Sequence, residues 1–165
     1  MARKSSGAPT TAATVALLRA GIRFTPHSYA HDPAVTDFGA EAARELGIEP
    51  ARIFKTLMVT TDAAGFGIGI VPVAALLDLK ALAAALGGKR AELADPRVAE
   101  RKSGYVVGGI SPVGRRTALP TVLDESAAQF ETILVSGGRR GFDLELTPVD
   151  LLAATNGRYG AIRRG

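Results

Sequence analysis

Apolar residues recur at the spacing of a single helix face in several segments of the chain. In the first of them, Val15, Leu17 and Leu18 form such a stripe, and Gly21 ends it. Capping residues and prolines at first helical positions mark further helix starts, as at Asp78 and at Thr147-Pro148. The pattern predicts helices over Thr10–Ala20, Phe38–Leu46, Leu79–Leu86, a short segment that begins at Asp95-Pro96, and Val149–Thr155.

Shorter runs of β-branched and apolar residues, separated by glycine and proline, predict strands. The predicted strands are Ile22–Tyr29, Arg52–Thr60, Gly67–Val73, Tyr105–Ile110, Thr121–Leu123, Thr132–Ser136 and Phe142–Leu146. The turn Asp62-Ala-Ala-Gly65 makes the second and third a hairpin. Because helices and strands are mixed and no repeat or linker divides them, we expect one α+β domain with a mixed sheet over residues 10–165. Residues 1–9 are expected to form a disordered tail.

Composition limits the chemistry that the domain can perform. The chain has 165 residues and no cysteine, which excludes disulfides, thiolate metal ligands and a cysteine nucleophile. No apolar run approaches the length of about 20 residues that spans a bilayer, and the N-terminus lacks the apolar block of a secretory signal. We therefore expect a cytoplasmic protein that does not bind a membrane.

Lys55 lies in the middle of an otherwise apolar predicted strand. Strand alternation places it on one face with Ile53, Leu57 and Val59. One interpretation is a lysine that reaches the sheet rim with its ammonium in water. The other is a fixed cation, at the border of a cleft, that holds a carbonyl, carboxylate or phosphate group of a substrate.

Two glycine-rich loops are candidates for close backbone approach to a ligand. Gly108 and Gly109 leave N–H groups that can aim at a developing oxyanion, although glycine pairs are more common in plain turns. The second loop begins at Ser136, which we expect at the rim of a pocket. Asp143 follows that loop and is either a polar floor for a substrate amine or a solvent-facing charge.

The net charge of +4 favours polyanions, and arginine pairs recur at turns in the second half of the chain. Basic residues on rigid turns contact phosphates at little cost in ordering entropy. The candidate RNA-binding residues are Arg115, Arg116, Arg139 and Arg140.

Other hydrolytic chemistries find no support in the sequence. There is no Gly-x-Ser-x-Gly elbow, and neither His27 nor His31 has an evident serine partner. Two histidines and Asp32 make a poor metal site without a third defined ligand, so we expect structural histidines and no metal or cofactor.

Several segments together resemble the YbaK family of aminoacyl-tRNA deacylases, relatives of the editing domain of bacterial prolyl-tRNA synthetase. The motifs are His-Ser-Tyr-x-His-Asp-Pro from His27, Phe-Lys-Thr-Leu from Phe54, Ala94-Asp-Pro, Gly-Tyr-Val-Val-Gly-Gly-Ile-Ser-Pro from Gly104, and Val-Ser-Gly-Gly-Arg-Arg-Gly-Phe-Asp from Val135. The resemblance implies a mixed, partly barrel-like sheet flanked by helices. It also implies that Lys55 is essential and that Tyr29, Thr56, Gly108, Ser136 and Asp143 line the pocket.

The subgroup that the chain most resembles removes cysteine from mischarged prolyl-tRNA. For this family the implied nucleophile is the thiol of the substrate itself, which fits a chain with no cysteine and no metal site. Three alternatives remain open: another small aminoacyl ester such as alanyl, attack by a ribose hydroxyl or by water, and a non-catalytic tRNA- or synthetase-binding module. The expected partner is the acceptor end of a mischarged tRNA and not DNA; a role for prolyl-tRNA synthetase as a second partner stays open.

Overall fold

The fold is given by a computed structural model that describes residues 9–63 and 65–165. The predicted tail lies almost wholly outside the described residues, so its disorder stays a prediction. The described part contains helices and strands in mixed order, which confirms the predicted α+β class. None of these helices has the length and apolar character needed to cross a bilayer.

Five α-helices occur in the described residues, where the sequence predicts five. They are α1 (Ala12–Arg19), α2 (Phe38–Leu46), α3 (Leu79–Ala85), α4 (Pro96–Ser103) and α5 (Pro148–Thr155). Side chains cap the N-terminus of every one, including the predicted caps Asp78, Asp95 and Thr147. Short 3₁₀ turns at Pro50–Arg52 and Glu125–Gln129 complete the helical structure of this part of the chain.

Ten strands form the sheets of the described residues. They are β1 (Thr25–Ser28), β2 (Phe54–Thr61), β3 (Gly65–Pro72), β4 (Leu76–Leu77), β5 (Ala91–Leu93), β6 (Thr121–Asp124), β7 (Ile133–Arg139), β8 (Phe142–Leu146), β9 (Arg158–Gly160) and β10 (Arg163–Arg164). One sheet has the order β5-β2-β3-β6-β9, a second the order β1-β8-β7, and β10 pairs with β4. The larger sheet is mixed. β2 runs antiparallel to both of its neighbours, β5 and β3, whereas β6 runs parallel to both of its neighbours, β3 and β9.

The hairpin of β2 and β3 is the centre of the molecule, and its predicted pairing is confirmed. Phe54 lies opposite Pro72 at one end and Thr61 opposite Gly65 at the other. Both faces of the hairpin are covered, since Phe54 joins one apolar cluster and Val59 another. A hairpin that is apolar on both sides must be covered by helices or a second sheet, and here α3 covers one side while β7 and β8 cover the other.

The two larger sheets meet at a parallel bridge between Ile53 and Leu134. Both residues are buried and pack against α2 in a third apolar cluster. The bridge joins the start of β2 to β7, so the sheets wrap around a shared interior without closing into a barrel.

The predicted strand Tyr105–Ile110 is wrong, because this segment forms turns. Gly104 and Gly108 adopt positive φ values of 81° and 89°, which break an extended chain. The N–H of Gly109 donates to the carbonyl of Val106 at 2.8 Å, which closes a tight turn. Tyr105 is buried all the same, and its hydroxyl donates to the carbonyl of Val113.

Candidate active site

A cavity of about 430 Å³ opens between the two sheets, beside the first half of β2. It is a suitable size for a small organic group. Six of the sequence-predicted site residues line it together: Tyr29, Lys55, Thr56, Gly108, Ser136 and Asp143. The remaining wall is mostly apolar and comes from the start of α2, from the other residues of 53–58, from Val73, from residues 93–99 and from Val107 and Ile110.

Lys55 is the one lysine among the described residues that line this cavity. Its side chain is half-buried and shares a strand face with Leu57 and Val59, as the alternation predicts. It forms no ion pair with any other described residue. The cation is therefore free to bind a ligand that enters the cavity.

Thr56 lies where the backbone edge of β2 is open. The N–H of Val73 donates to the carbonyl of Ile53, so these two residues form a hydrogen-bonded pair across the two strands. Hydrogen-bonded pairs alternate with unbonded pairs along antiparallel strands. The backbone groups of Lys55 and Leu57 therefore face β3, and those of Thr56 face away from it. On that outer edge, β5 pairs only from Val59 onwards and the bridge to β7 reaches only Ile53.

The hydroxyl of Thr56 is also without a partner. Its Oγ1 atom is buried and makes no hydrogen bond. A buried hydroxyl without a partner costs free energy, so such a group beside a cavity is available to a bound ligand. Thr56 thus presents both backbone and side-chain hydrogen-bonding groups at the same wall.

Asp143 supplies the acidic group of the cavity. It lies on β8 between Ser136 of β7 and His27 of β1, and its side chain is only 7% exposed. Burial raises its pKa to about 7, and burial is the sole cause. The solvent-facing interpretation of Asp143 is therefore wrong, whereas the polar-floor interpretation stays a prediction.

Tyr29 continues from β1 into the cavity, where its backbone N–H donates to the carbonyl of Gly141. Burial raises the pKa of its phenol, and the nearby carboxyl groups of Asp143 and Glu41 raise it further. The hydroxyl therefore remains protonated in the neutral range and can donate a hydrogen bond to a ligand.

Of the two loop glycines, only Gly108 lines the cavity. Its positive φ of 89° places the backbone close to the ring of Phe38, where a Cβ atom would lie 2.8 Å away. Gly109 packs instead against the backbone of Arg139, and its own N–H is used within the loop. The N–H of Gly109 is therefore not free to make the predicted contact with an oxyanion. Gly108 is the glycine that remains for that contact.

The four predicted RNA-binding arginines occupy different surroundings. Arg115 is turned inwards, where its guanidinium donates to the carbonyl of Pro112 and to the hydroxyl of Thr121. Arg116, Arg139 and Arg140 are exposed. Their contact with RNA stays a prediction, and the inward side chain of Arg115 is poorly placed for one.

Both histidines are structural, as predicted, because each binds a glutamate. His27 contacts Glu145 at 2.8 Å and His31 contacts Glu41 at 2.7 Å. Burial alone would raise the pKa of Glu41, but hydrogen bonds from the N–H of Asp32 and from His31 outweigh it and lower that pKa. No group of three or more potential metal ligands occurs among the described residues.

Sequence reasoning missed the contribution of α2 to the cavity. Phe38 and Ala42 line it, and Glu41 ties the helix to the segment after Tyr29. A signal was present in Gly39, since glycine is unfavourable inside a helix. A Cβ atom there would lie 2.4 Å from Val73, so the glycine allows α2 to approach the end of β3.

Comparisons with known proteins identify the family of the chain. The family model of the aminoacyl-tRNA editing domain matches residues 32–154. A candidate Cys-tRNA(Pro)/Cys-tRNA(Cys) deacylase of Enterococcus faecalis, EbsC, is 42% identical over 120 residues, which are 73% of each protein.

Solved structures agree as well. A candidate trans-editing enzyme for prolyl-tRNA synthetase superimposes with a TM-score of 0.80 at 27% identity and covers 96% of this chain and 100% of its own. The hypothetical protein APE2540 gives a TM-score of 0.82 at 25% identity, over 93% of this chain and 100% of its own. The resemblance derived from the motifs is confirmed, and the chain belongs to the aminoacyl-tRNA editing domain family.

Proposed function

We propose that this protein is a trans-editing deacylase that removes cysteine from mischarged Cys-tRNA(Pro). The names of EbsC and of the trans-editing structure support the reaction and the substrate. The structural observation that carries the proposal is one cavity with an unpaired ammonium, Lys55, and a buried, unpaired carboxyl, Asp143. We also propose that it acts in the cytoplasm on tRNA charged by prolyl-tRNA synthetase.

The two unpaired groups select a dipolar ligand. Lys55 and Asp143 line the same cavity but form no ion pair with each other. The buried carboxyl of Asp143 is costly without a partner, so a ligand that supplies a cation there gains binding free energy, and an acceptor on the same ligand can pair with the half-buried Lys55. An aminoacyl ester does so, with its α-ammonium at Asp143 and its carbonyl oxygen at Lys55.

The chain's own residues position the ester while the substrate reacts with itself. The cysteine sulfur attacks its own ester carbonyl carbon, so that a carbon–sulfur bond forms and the carbon–oxygen bond to the ribose breaks. The thiol proton ends on the ribose hydroxyl, and the cysteine leaves as a cyclic thioester that water then opens. Lys55 and the N–H groups at Thr56 and Gly108 are the donors for the negative charge that develops on the carbonyl oxygen.

No protein nucleophile is required for this reaction, and the chain contains no cysteine. The rate then comes from orientation and from electrostatic stabilisation of the developing charge. A well-oriented intramolecular attack reaches effective molarities on the order of 10⁵ M or more, which is sufficient for such a site.

The experiment is a deacylation panel with tRNA(Pro) that carries cysteine, S-methylcysteine, serine or alanine. We expect rapid release of cysteine and a rate at least about 100-fold lower for S-methylcysteine, since methylation removes the nucleophile and leaves the ester unchanged. Equal rates for cysteine and S-methylcysteine would contradict the thiol mechanism in favour of a ribose hydroxyl or water. Binding of all four tRNAs without cleavage would make the protein a non-catalytic module.

A further inference from the structure

Arg140 is an exposed arginine that the structure holds in one orientation at the rim of the cavity. Its Nε–H donates to the carbonyl of Val107 at 2.9 Å. Its guanidinium lies 5.0 Å from the centroid of the Phe38 ring. Because Val107 and Phe38 both line the cavity, these two contacts hold the exposed guanidinium against residues of the cavity wall.

The backbone that carries Arg140 is fixed in the same way. It belongs to the turn between β7 and β8, and a Cβ atom on Gly109 would lie 2.7 Å from the Cα atom of Arg139. On the other side of the turn, a Cβ atom on Gly141 would lie 2.7 Å from the carbonyl oxygen of Tyr29. The turn therefore packs between the loop that carries Gly109 and the segment after β1.

The terminal nitrogens of Arg140 remain available. Within the described residues, neither Nη1 nor Nη2 of Arg140 makes a hydrogen bond or an ion pair. The neighbouring Arg139 is exposed and makes no side-chain contact of this kind. Arg116 donates to the carbonyl of Arg101, away from the cavity lining.

We propose that Arg140 binds the phosphate that joins the last two nucleotides of the tRNA, an inference that rests on the proposed deacylase function. A guanidinium with its orientation already fixed loses little rotamer entropy when it binds, and its planar fork matches phosphate oxygens. The aminoacyl ester lies inside the cavity, so the phosphate one nucleoside away emerges at the rim where Arg140 lies. The contact aligns the 3′ end before the ester reacts.

The experiment compares two small substrates, of which only the second carries the phosphate, together with the cytidine attached to it. One is the cysteinyl ester of adenosine, and the other is the cysteinyl ester of the dinucleotide CpA. We expect the wild type to cleave the CpA ester with a kcat/KM about 10-fold or more above that of the adenosine ester, as a charge-assisted hydrogen bond contributes. Arg140→Ala removes this difference and leaves kcat/KM for the adenosine ester unchanged.

Two further variants separate charge from orientation. Arg44→Ala is the control and retains the full preference for CpA, because Arg44 is an exposed arginine of α2 that does not line the cavity. Arg140→Lys keeps the charge but loses the fork and the Nε contact, so it retains only a small part of the preference.

Three results overturn the inference, and the third also overturns the proposed function. Equal cleavage of both esters by the wild type means that the phosphate is not recognised. An equal loss for both esters in Arg140→Ala means that the side chain only supports the rim. Failure of the wild type to cleave either ester while it also fails to cleave Cys-tRNA(Pro) refutes the proposed function itself, and the inference with it.

Discussion

Asp143 carries a carboxyl group that burial keeps from water and that no neighbouring donor compensates. It lies within a strand whose other face packs into the main apolar cluster through Phe142 and Leu144. Such a group reduces the stability of the fold unless a ligand pairs with it. Asp143 lines the same cavity as Lys55, so a ligand bound there can supply the missing partner.

Asp143→Asn should change the pH dependence of stability. The pKa in the folded state is about 7, well above the ordinary value of an aspartate. Between roughly pH 4 and 7 the unfolded chain has lost this proton while the folded chain keeps it, so the free energy of unfolding decreases as the pH rises through this window and is level above it. The asparagine variant lacks that decrease.

Urea unfolding of both proteins between pH 4.5 and 8 measures the effect. The variant should gain stability relative to the wild type as the pH rises, by about 4 kcal/mol at most, and should lose activity because the α-ammonium has no partner. Parallel pH profiles of the two proteins would show that Asp143 is ionised and solvated in the free protein.

Single residues could be predicted from the sequence better than their surroundings. Lys55 is conspicuous in an apolar strand and Asp143 follows a glycine-rich turn, so both could be named. The burial of Asp143 could not be predicted, because alternation gives the two faces of a strand but not which of them a second sheet covers. Similarly, the sequence does not show which of Gly108 and Gly109 has a free amide.

At the scale of elements, the site depends on a gap in a strand ladder. β5 pairs with the last residues of β2 and β7 bridges only its start, which leaves the edge at Thr56 open. The sequence predicts β2 and its hairpin because a long β-branched run is a strong signal. It does not predict β5, since a strand of three residues carries too little pattern, and so the gap could not be foreseen.

The loop after α4, which carries Gly108 and Gly109, was predicted incorrectly as a strand. Val106, Val107 and Ile110 have high strand propensity, but propensity is overridden where glycines adopt positive φ. The carboxylate of Glu100 accepts a hydrogen bond from the N–H of Val107, which anchors the loop to α4. As a result the loop turns back and forms a cavity wall.

Gly108→Ala should disturb this wall. The substitution places a Cβ atom in a strained conformation at φ 89° and 2.8 Å from the ring of Phe38, so we expect a loss of roughly 1–3 kcal/mol in stability and a reduced deacylation rate. Gly21→Ala is the matched control, since Gly21 also has a positive φ of 71° but has open space around it. It should cost about 1 kcal/mol and leave the rate unchanged.

Thermal unfolding and single-turnover deacylation of the two variants provide the comparison. Equal rates in Gly108→Ala and the wild type would contradict the account of the loop as a wall of the active site.

At the scale of the whole molecule, the cavity exists only when distant segments meet. Its lining comes from residues 29–42, 53–58, 93–110 and 136–143 and from Val73. The N-terminal part of the described chain helps to hold one of these segments, because the hydroxyl of Thr11 donates to the carbonyl of Gly137. The C-terminal part is held to β6, where the buried carboxylate of Asp124 accepts from the N–H groups of Ile162 and Arg163. The sequence contained the motifs, and the motifs together identified the family, but the contacts that assemble them are long-range.

The central claim is that the free ammonium of Lys55 holds the ester while the substrate reacts. The most direct measurement is the single-turnover rate of Cys-tRNA(Pro) deacylation by the wild type, Lys55→Ala and Lys80→Ala; Lys80 is an exposed lysine of α3 and serves as the control. We expect a loss of about 100-fold or more in Lys55→Ala, because a preorganised donor to the oxyanion is removed, and no change in Lys80→Ala. A Lys55→Ala protein that is folded and deacylates at the wild-type rate would contradict the account.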